Sequence, residues 1–459
     1  MRELAGIVKA YDIRGEVPAE LDEEIAHALG AAFVRVLDAR ALVTAHDMRD
    51  SSVPLSQAFA EGACEQGADV IETGLGSTDM LYLAAGSLDL PGAMFTASHN
   101  PAKYNGIKLC RAGAAPVGQD TGLAEIRALA ELALSDQGLP PWPGARGTVS
   151  RRDVLPDYAA YLRGLVDLSA IRRLTVVVDA GNGMAGHTVP TVFDGLSIDL
   201  VPLYFELDGT FPNHEANPLV PANLRDLQAA VVEHRADLGL AFDGDADRCF
   251  VVDERGRPVS PSTVTALVAA RELQREPGAT IIYNLITSRA VPEIVRERGG
   301  VPVRTRVGHS FIKAEMARTG AIFGGEHSAH YYFRDFWRAD TGMLAALHVL
   351  AALGSQVGPL SDLVSQFSRY AASGEINSAV EDQAAALRDV EAAFAGAAVD
   401  YVDGLTAALP DGSWFNLRAS NTEPLLRLNV EAPDEARLAT LRDDVLALVR
   451  APATAQSHT

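Results

Sequence analysis

The stretch ADLGLAFDGDADR, residues 236–248, decides how this chain is read. Its first half is short and apolar, as a strand buried on both faces of a sheet is. Its second half sets Asp243, Asp245 and Asp247 at alternate positions. Three carboxylates this close repel one another unless a cation neutralises them. An all-oxygen ligand set suits a hard ion such as Mg²⁺. An EF-hand is excluded. Arg248 stands at the sixth loop position, where glycine is needed, and residues 249–252 read as a buried strand although Glu254 falls at the twelfth. The bland alternative is a solvated acidic turn between two strands.

The same form, a short apolar run ending in a loop, recurs outward along the chain. It appears at ALVTAHD (41–47), GADVIETG (67–74), GAMFTASHN (92–100), LTVVVDAGNG (174–183), TIIYNLITS (280–288) and GAIFGGEHS (320–328). Helical patterns such as 21–37 and 224–234 lie between these runs. Strands alternating with helices predict α/β domains with mixed, mostly parallel sheets. Pro- and Gly-rich breaks at 136–150, near 253–256 and at 354–374 divide the chain. The expected units are three similar α/β domains over 1–148, 149–253 and 254–367, then a C-terminal α+β domain over 368–459. In the last unit, WFNLRAS (414–420) and EPLLRLNVEA (423–432) read as paired strands. A helix with Leu438, Leu441, Val445 and Leu448 on one face follows.

Four loops carry chemistry-bearing residues: TASHNP (96–101), DGDADR (243–248), GEHSAH (325–330) and RASNTEP (418–424). Ligands of α/β sheets bind beyond the carboxyl ends of strands, so the four loops are expected to line one central cleft. Ser98 at a strand end becomes a nucleophile if something activates it. Its neighbour His99 is not expected to do so, because adjacent side chains on a strand point opposite ways. Arg418, Ser420, Asn421 and Thr422 supply a guanidinium, two hydroxyls and an amide, a set able to surround a phosphate dianion. Glu326 and Ser328 offer an acceptor and a donor for hydroxyl groups. GNGMAG (181–186) is a literal G-x-G-x-x-G with Asp199 at a ribose-binding distance. It leaves open a nicotinamide enzyme, against the plainer reading of a tight strand-to-helix turn.

Composition narrows the partners. Sixty acidic residues against 39 basic ones give a net charge of −21. Such a surface repels nucleic-acid backbones and anionic lipid, so neither partner is expected. The three cysteines are far apart and in no C-x-x-C spacing, which excludes a disulfide framework or a cysteine-based zinc site. The N-terminal residues meet charge at once, and the most apolar helical stretch, 343–353, is too short to span a bilayer. A cytoplasmic monomer or dimer is the expectation.

Taken together, these motifs resemble the α-D-phosphohexomutase family of phosphomannomutases and phosphoglucomutases. The resemblance runs in the family's order through YDIRG (11–15), TASHNP, YNGIK (104–108), DGDADR, VGHSFIK (307–313), GEHSAH and RASNTEP. It covers essentially the whole chain and implies four domains around a central cleft. It implies that Ser98 carries a transferable phosphate and, with Asp243, Asp245 and Asp247, holds Mg²⁺. It implies that Arg418, Ser420, Asn421 and Thr422 grip the phosphate not being transferred. Glu326 and Ser328 would read sugar hydroxyls, with Tyr11, His99, Arg248 and His330 as further substrate contacts. Arg14, Lys108 and His309 would serve proton transfer and charge stabilisation.

The implied reaction interconverts mannose 6-phosphate and mannose 1-phosphate, with glucose phosphates also accepted. It passes through a hexose 1,6-bisphosphate, which also serves as activator. Phosphoglucosamine mutase and the NAD-dependent oxidoreductase are the alternatives carried forward. The sequence departs from the family pattern at Ala329, where many members have glycine, and at Ala45-His46-Asp47, which replaces a common Gly-Arg-Asp. GNGMAG matches the opening turn of the family's second domain, which weakens the dinucleotide reading.

Overall fold

A computed structural model describes residues 2–9, 11–419 and 425–450, with His309 by its backbone alone. Strands Ile13–Glu16 (β1), Ala41–His46 (β2), Asp69–Leu75 (β3), Gly92–Phe95 (β4), Tyr104–Cys110 (β5) and Val149–Arg151 (β6) form one sheet, ordered β1-β5-β4-β2-β3-β6. Leu174–Asp179 (β7), Ile198–Leu203 (β8), Leu238–Phe242 (β9), Cys249–Asp253 (β10) and Pro258–Val259 (β11) form a second, ordered β11-β10-β9-β7-β8. Thr280–Asn284 (β12), Val301–Thr305 (β13), Phe323–Gly325 (β14), Tyr331–Phe333 (β15) and Ala339–Asp340 (β16) form a third, ordered β13-β12-β14-β15-β16. Ala371–Ala379 (β17), Ala398–Asp400 (β18), Leu405–Ala408 (β19), Trp414–Ala419 (β20) and Leu425–Ala432 (β21) form a fourth, ordered β17-β21-β20-β19-β18. The chain thus folds as four domains.

The first three sheets are mixed. Strands followed by helices pair in parallel, as β2 does with β3 and β4, and β7 with β8 and β9. Runs such as LGLAF of β9 are buried at every residue, which is why they carry no polar alternation. The fourth sheet pairs antiparallel throughout.

All four functional loops sit where a strand turns back on an antiparallel partner. DGDADR joins β9 to β10, pinned at its base by the Phe242–Cys249 pair. The sugar-loop residues 326–330 join β14 to β15, pinned by Gly325–Tyr331. TASHNP lies between β4 and β5, and the 420–424 segment between β20 and β21. The sequence reading expected strand ends of parallel sheets. Each loop does leave the carboxyl end of a strand, but it returns as a hairpin. Paired strands fix the two ends of each loop about 5 Å apart.

One continuous apolar cluster runs through the first three domains, from Val43 to Phe367. The helix Gly342–Gly354 is buried along its whole length, His348 included, as its uniform apolar pattern predicts. The fourth domain has its own cluster around Phe415, Leu428 and Leu441.

Candidate active site

Ser98 is 6% exposed and adopts a left-handed backbone, φ 50°. A non-glycine residue in that region carries strain that its surroundings must hold. Here the Ser98 amide donates to Thr96 Oγ1 at 2.9 Å and Arg49 Nη2 donates to the Ser98 carbonyl at 2.9 Å. The hydroxyl is thereby aimed across the domain boundary and donates to Asp243 Oδ2 at 2.8 Å. Gly244 permits this approach: a Cβ there would stand 2.3 Å from the Ser98 carbonyl oxygen.

The left-handed turn overturns one expectation. Ser98 is not on a strand, so its side chain and that of His99 do not diverge; Oγ lies 3.2 Å from His99 Nδ1. That nitrogen also accepts from Arg248 Nη2 at 2.7 Å. Burial, with the cations Arg248 and Arg14 beside it, pushes the His99 imidazole well below its usual range. A neutral ring whose Nδ1 is already engaged is a poor base for Ser98.

The three aspartates are buried, and ligand atoms from each lie within 4.8 Å of one another. Lys108 Nζ donates to Asp245 Oδ2 at 2.6 Å and Asp247 Oδ2 at 2.7 Å. Thr78 Oγ1 also donates to Asp245 Oδ2, at 2.5 Å. Arg248 Nε donates to Asp243 Oδ2 at 2.8 Å. Burial disfavours the charge on Asp245, but Lys108 and Thr78 outweigh it and hold that carboxyl well below its usual range. Burial and the charge of Asp245 push Asp247 the other way. Burial works against Lys108 too, yet the two carboxylates raise it far above an ordinary lysine. The ammonium is therefore held as a positive charge between the two carboxylates.

Asp245 Oδ1 and Asp247 Oδ1 are buried without a hydrogen-bond partner. Two orphaned carboxylate oxygens among three clustered carboxylates fit a divalent cation with oxygen ligands. The solvated-turn alternative fails, because none of the three is solvated.

Ser98, Lys108 and Asp247 share a cavity of about 180 Å³ with Tyr11, Arg14 and His330. Arg14 is braced by Asn100 Oδ1 at 2.6 Å and Asp12 at 2.7 Å. His330 Nε2 lies 3.6 Å from Asp247 Oδ1. Glu326 and Ser328 stand one layer behind His330. Ser328 Oγ lies 3.1 Å from both Glu326 Oε2 and His330 Nδ1. Glu326 also accepts from the Gly308 amide at 3.3 Å and from Tyr332 at 3.3 Å. Ala329 takes φ 66°, which explains why glycine suits that position.

Arg418 is on β20, where it pairs with Glu375 at 2.8 Å. It is close enough to His327 to help burial push that imidazole down to about 3. The fourth domain thus faces the sugar loop. Ser420, Asn421 and Thr422 lie outside the described residues. His309 opens the helix His309–Thr319, placed there by the loop after β13.

Five further residues complete the site without having been singled out by the sequence: Arg49, Thr78, Tyr82, Lys313 and Asp340. Lys313 is buried, pairs with Asp340 at 2.7 Å and lies 4.2 Å above the Tyr82 ring. Its position inside the quoted VGHSFIK was the one signal available. Asp199, the residue of the dinucleotide reading, is half-exposed and pairs with Arg173 at 2.6 Å. The GNGMAG turn packs instead against the metal loop: the Met184 amide donates to the Gly244 carbonyl at 2.9 Å.

A four-domain α/β protein with a serine hydroxyl on a carboxylate cluster, inside a cleft rich in fixed cations, belongs to the class that transfers phosphoryl groups. Comparison with known proteins names the family. Residues 5–134, 156–256 and 261–370 match the phosphoglucomutase/phosphomannomutase α/β/α domains I, II and III, and 375–448 match the C-terminal domain. The chain belongs to the phosphoglucomutase/phosphomannomutase family. It is 41% identical over 454 residues to a phosphomannomutase of Escherichia coli, covering 96% of this chain and 98% of that one. It is 42% identical over 440 residues to the phosphohexose mutases of Xanthomonas campestris, covering 95% and 96%. A solved phosphoglucomutase/phosphomannomutase family protein from Burkholderia thailandensis superposes with a TM-score of 0.88 at 34% identity, over 98% of both chains.

Proposed function

We propose that this chain is a phosphomannomutase, interconverting mannose 6-phosphate and mannose 1-phosphate and accepting glucose phosphates as well. The observation that carries the proposal is the Ser98 hydroxyl, 2.8 Å from Asp243 in the cavity that also holds Lys108 and Arg14. The phosphoryl on Ser98 Oγ passes to a free hydroxyl of the bound hexose phosphate. The Oγ–P bond breaks, the sugar O–P bond forms, and the sugar hydroxyl proton passes to the proposed base, His309 or Lys108. The resulting 1,6-bisphosphate turns around in the cleft, and its other phosphoryl returns to Ser98.

Asp243, Asp245, Asp247 and the Ser98 phosphate are the proposed ligands of Mg²⁺. When bound, it supplies positive charge that neutralises the phosphoryl in transit. Lys108 and Arg248 add positive charge on either side of Asp243 and Asp245. Arg14, Lys108 and His309 are the residues proposed for proton transfer and charge stabilisation, the Arg14 guanidinium serving the charge. Glu326 and Ser328 are the pair proposed to read the sugar hydroxyls, with His330 beside them. Arg418, with Ser420, Asn421 and Thr422, grips the distal phosphate.

Because Glu326 and Ser328 must accept both orientations of a bisphosphate, they gain little hold on carbon 2, where mannose and glucose differ. An amino group there would bring positive charge toward the cleft's cations, so glucosamine phosphate should be the poorer substrate. Three buried, unpaired thiols are compatible with the reducing cytoplasm in which we place the protein.

The test is Ser98→Ala. The parent should carry phosphate on the Ser98 peptide, read by mass, and the variant none. Mutase turnover should fall at least about 1,000-fold while the variant still binds hexose phosphate. A variant with full turnover removes the phosphoserine route. Preference of the parent for glucosamine phosphate over both hexose phosphates would reassign the substrate.

A further inference from the structure

One side chain makes most of the side-chain hydrogen bonds to the backbone of the loop that carries Ser98. Arg49 follows β2, is 3% exposed and lies outside the cavity, so no substrate reaches it. Its Nε donates to Asp47 Oδ2 at 3.2 Å. Nη1 donates to the carbonyls of Pro101 and Tyr104, both at 3.0 Å. Nη2 donates to the carbonyls of Ser98 at 2.9 Å and Asn100 at 2.6 Å. A guanidinium has five N–H donors in a planar fork, and every one is used here.

Four of its acceptors are backbone carbonyls of one loop, residues 98–104. Within that span the backbone bonds are few: Asn100 to Ala97 and Tyr104 to Pro101. The loop's shape, including the left-handed turn at Ser98, therefore depends on the guanidinium. The second domain covers the arrangement. The Phe211 ring lies 5.1 Å from the Arg49 guanidinium carbon. A Cβ on Gly209 would stand 2.8 Å from Arg49 Cα. Asp47 is itself fixed, accepting from Ser52 Oγ at 2.6 Å and from the Arg49 amide at 3.0 Å.

We propose that Arg49 is a positioning residue for phosphoryl transfer: it gathers the carbonyls of residues 98–104 and so aims Ser98 Oγ at the carboxylate cluster. The inference rests on the reading of Ser98 as the phosphoryl carrier. Lysine keeps the charge but offers one nitrogen, which cannot span four carbonyls.

The experiment measures loading of Ser98 in the dephosphorylated full chain by glucose 1,6-bisphosphate with Mg²⁺, followed by intact mass. In that step the sugar O–P bond breaks, the Ser98 Oγ–P bond forms, and the serine proton goes to the sugar oxygen. Arg49→Lys should slow loading and kcat by about 100-fold, the usual penalty for an ångström-scale misplacement, with KM within about threefold of the parent. Loading and kcat within threefold of the parent would overturn the inference, as would a lowered melting temperature with kcat per folded molecule intact.

Should Arg49→Lys fail to fold, Phe211→Leu decides. It removes the ring over the guanidinium, a ring whose edge also lies beside Gly244. It should slow loading about threefold or more at a melting temperature within a few degrees of the parent. Unchanged loading in that variant overturns the inference. A parent that takes no phosphate on Ser98 refutes the phosphoserine reading itself, a result distinct from a parent and variant that load equally.

Discussion

The first three domains and the fourth are joined by different kinds of contact. Among the first three, a continuous apolar core is supplemented by one fully buried carboxylate. Asp79 takes hydroxyls from Ser77 of the first domain, Tyr158 of the second at 2.6 Å and Thr341 of the third at 2.6 Å. Its neighbour Thr78 holds Asp245 of the metal loop, and Thr341 follows directly on Asp340, the partner of Lys313. The fourth domain meets the third through polar groups. Arg304 pairs with Asp400 at 2.7 Å, both about a third exposed, and the Val307 amide donates to Asp403 at 3.2 Å. A cavity of about 650 Å³ lies between them, bridged at its edge by Arg289, whose amide donates to Glu431 Oε1 at 3.0 Å.

The difference assigns labour. The groups of the phosphoryl chemistry are built into one rigid body, where placement to a fraction of an ångström can be kept. Arg418, proposed to grip the distal phosphate, sits on a separately folded domain with a polar interface, for which relative motion is the default. A bisphosphate that turns around needs both.

The heaviest blow to the rigid body should be Asp245→Ala. It removes one of three clustered carboxylates and leaves Lys108 and Thr78 without their shared acceptor. We expect kcat/KM to fall at least about 100-fold. Mg²⁺ binding, followed by calorimetry, should weaken in parallel; unchanged binding would remove these carboxylates from the metal site.

The Asp79 junction carries a pH signature. Burial raises its carboxyl from 3.8 to about 6 despite three hydroxyl donors. The folded protein therefore holds this proton more tightly than the unfolded chain does. Between about pH 4 and 6 the folded state binds more protons, so Asp79's contribution falls as pH rises through that window, by up to about 3 kcal/mol. Asp79→Asn should flatten that part of the stability profile, measured by urea unfolding at successive pH values. Identical slopes in parent and variant would show that Asp79 titrates normally.

Thr341→Val should cost about 2 kcal/mol at neutral pH, since it removes one donor to Asp79 and also the cap on the Leu344 amide at 3.2 Å. Arg304→Ala, on the polar side of the comparison, should cost under about 1 kcal/mol in the same assay. A larger loss from Arg304→Ala than from Thr341→Val would reverse the contrast between the two interfaces.

By itself the sequence determined whatever is written in local pattern. Apolar runs such as 238–242 and 280–284 are strands because nothing in them needs water, and 343–353 is a core helix for the same reason. The alternating aspartates of 243–247 were legible because their mutual repulsion requires a cation, and Ser98 because it lies in a polar loop just after such a strand. The tertiary structure alone decided that these loops are hairpins and that Ser98 Oγ reaches Asp243, 145 positions away. It alone decided that Ser98 is in a left-handed turn that brings His99 alongside rather than opposite. Arg49, Thr78, Asp79 and Lys313 belong to the same group. The partners that give them meaning lie at Ser98–Tyr104, Asp245, Thr341 and Asp340. A side chain's hydrogen bonds and ion pairs act over about 3 Å, and only the folded chain brings residues so far apart in sequence within that reach.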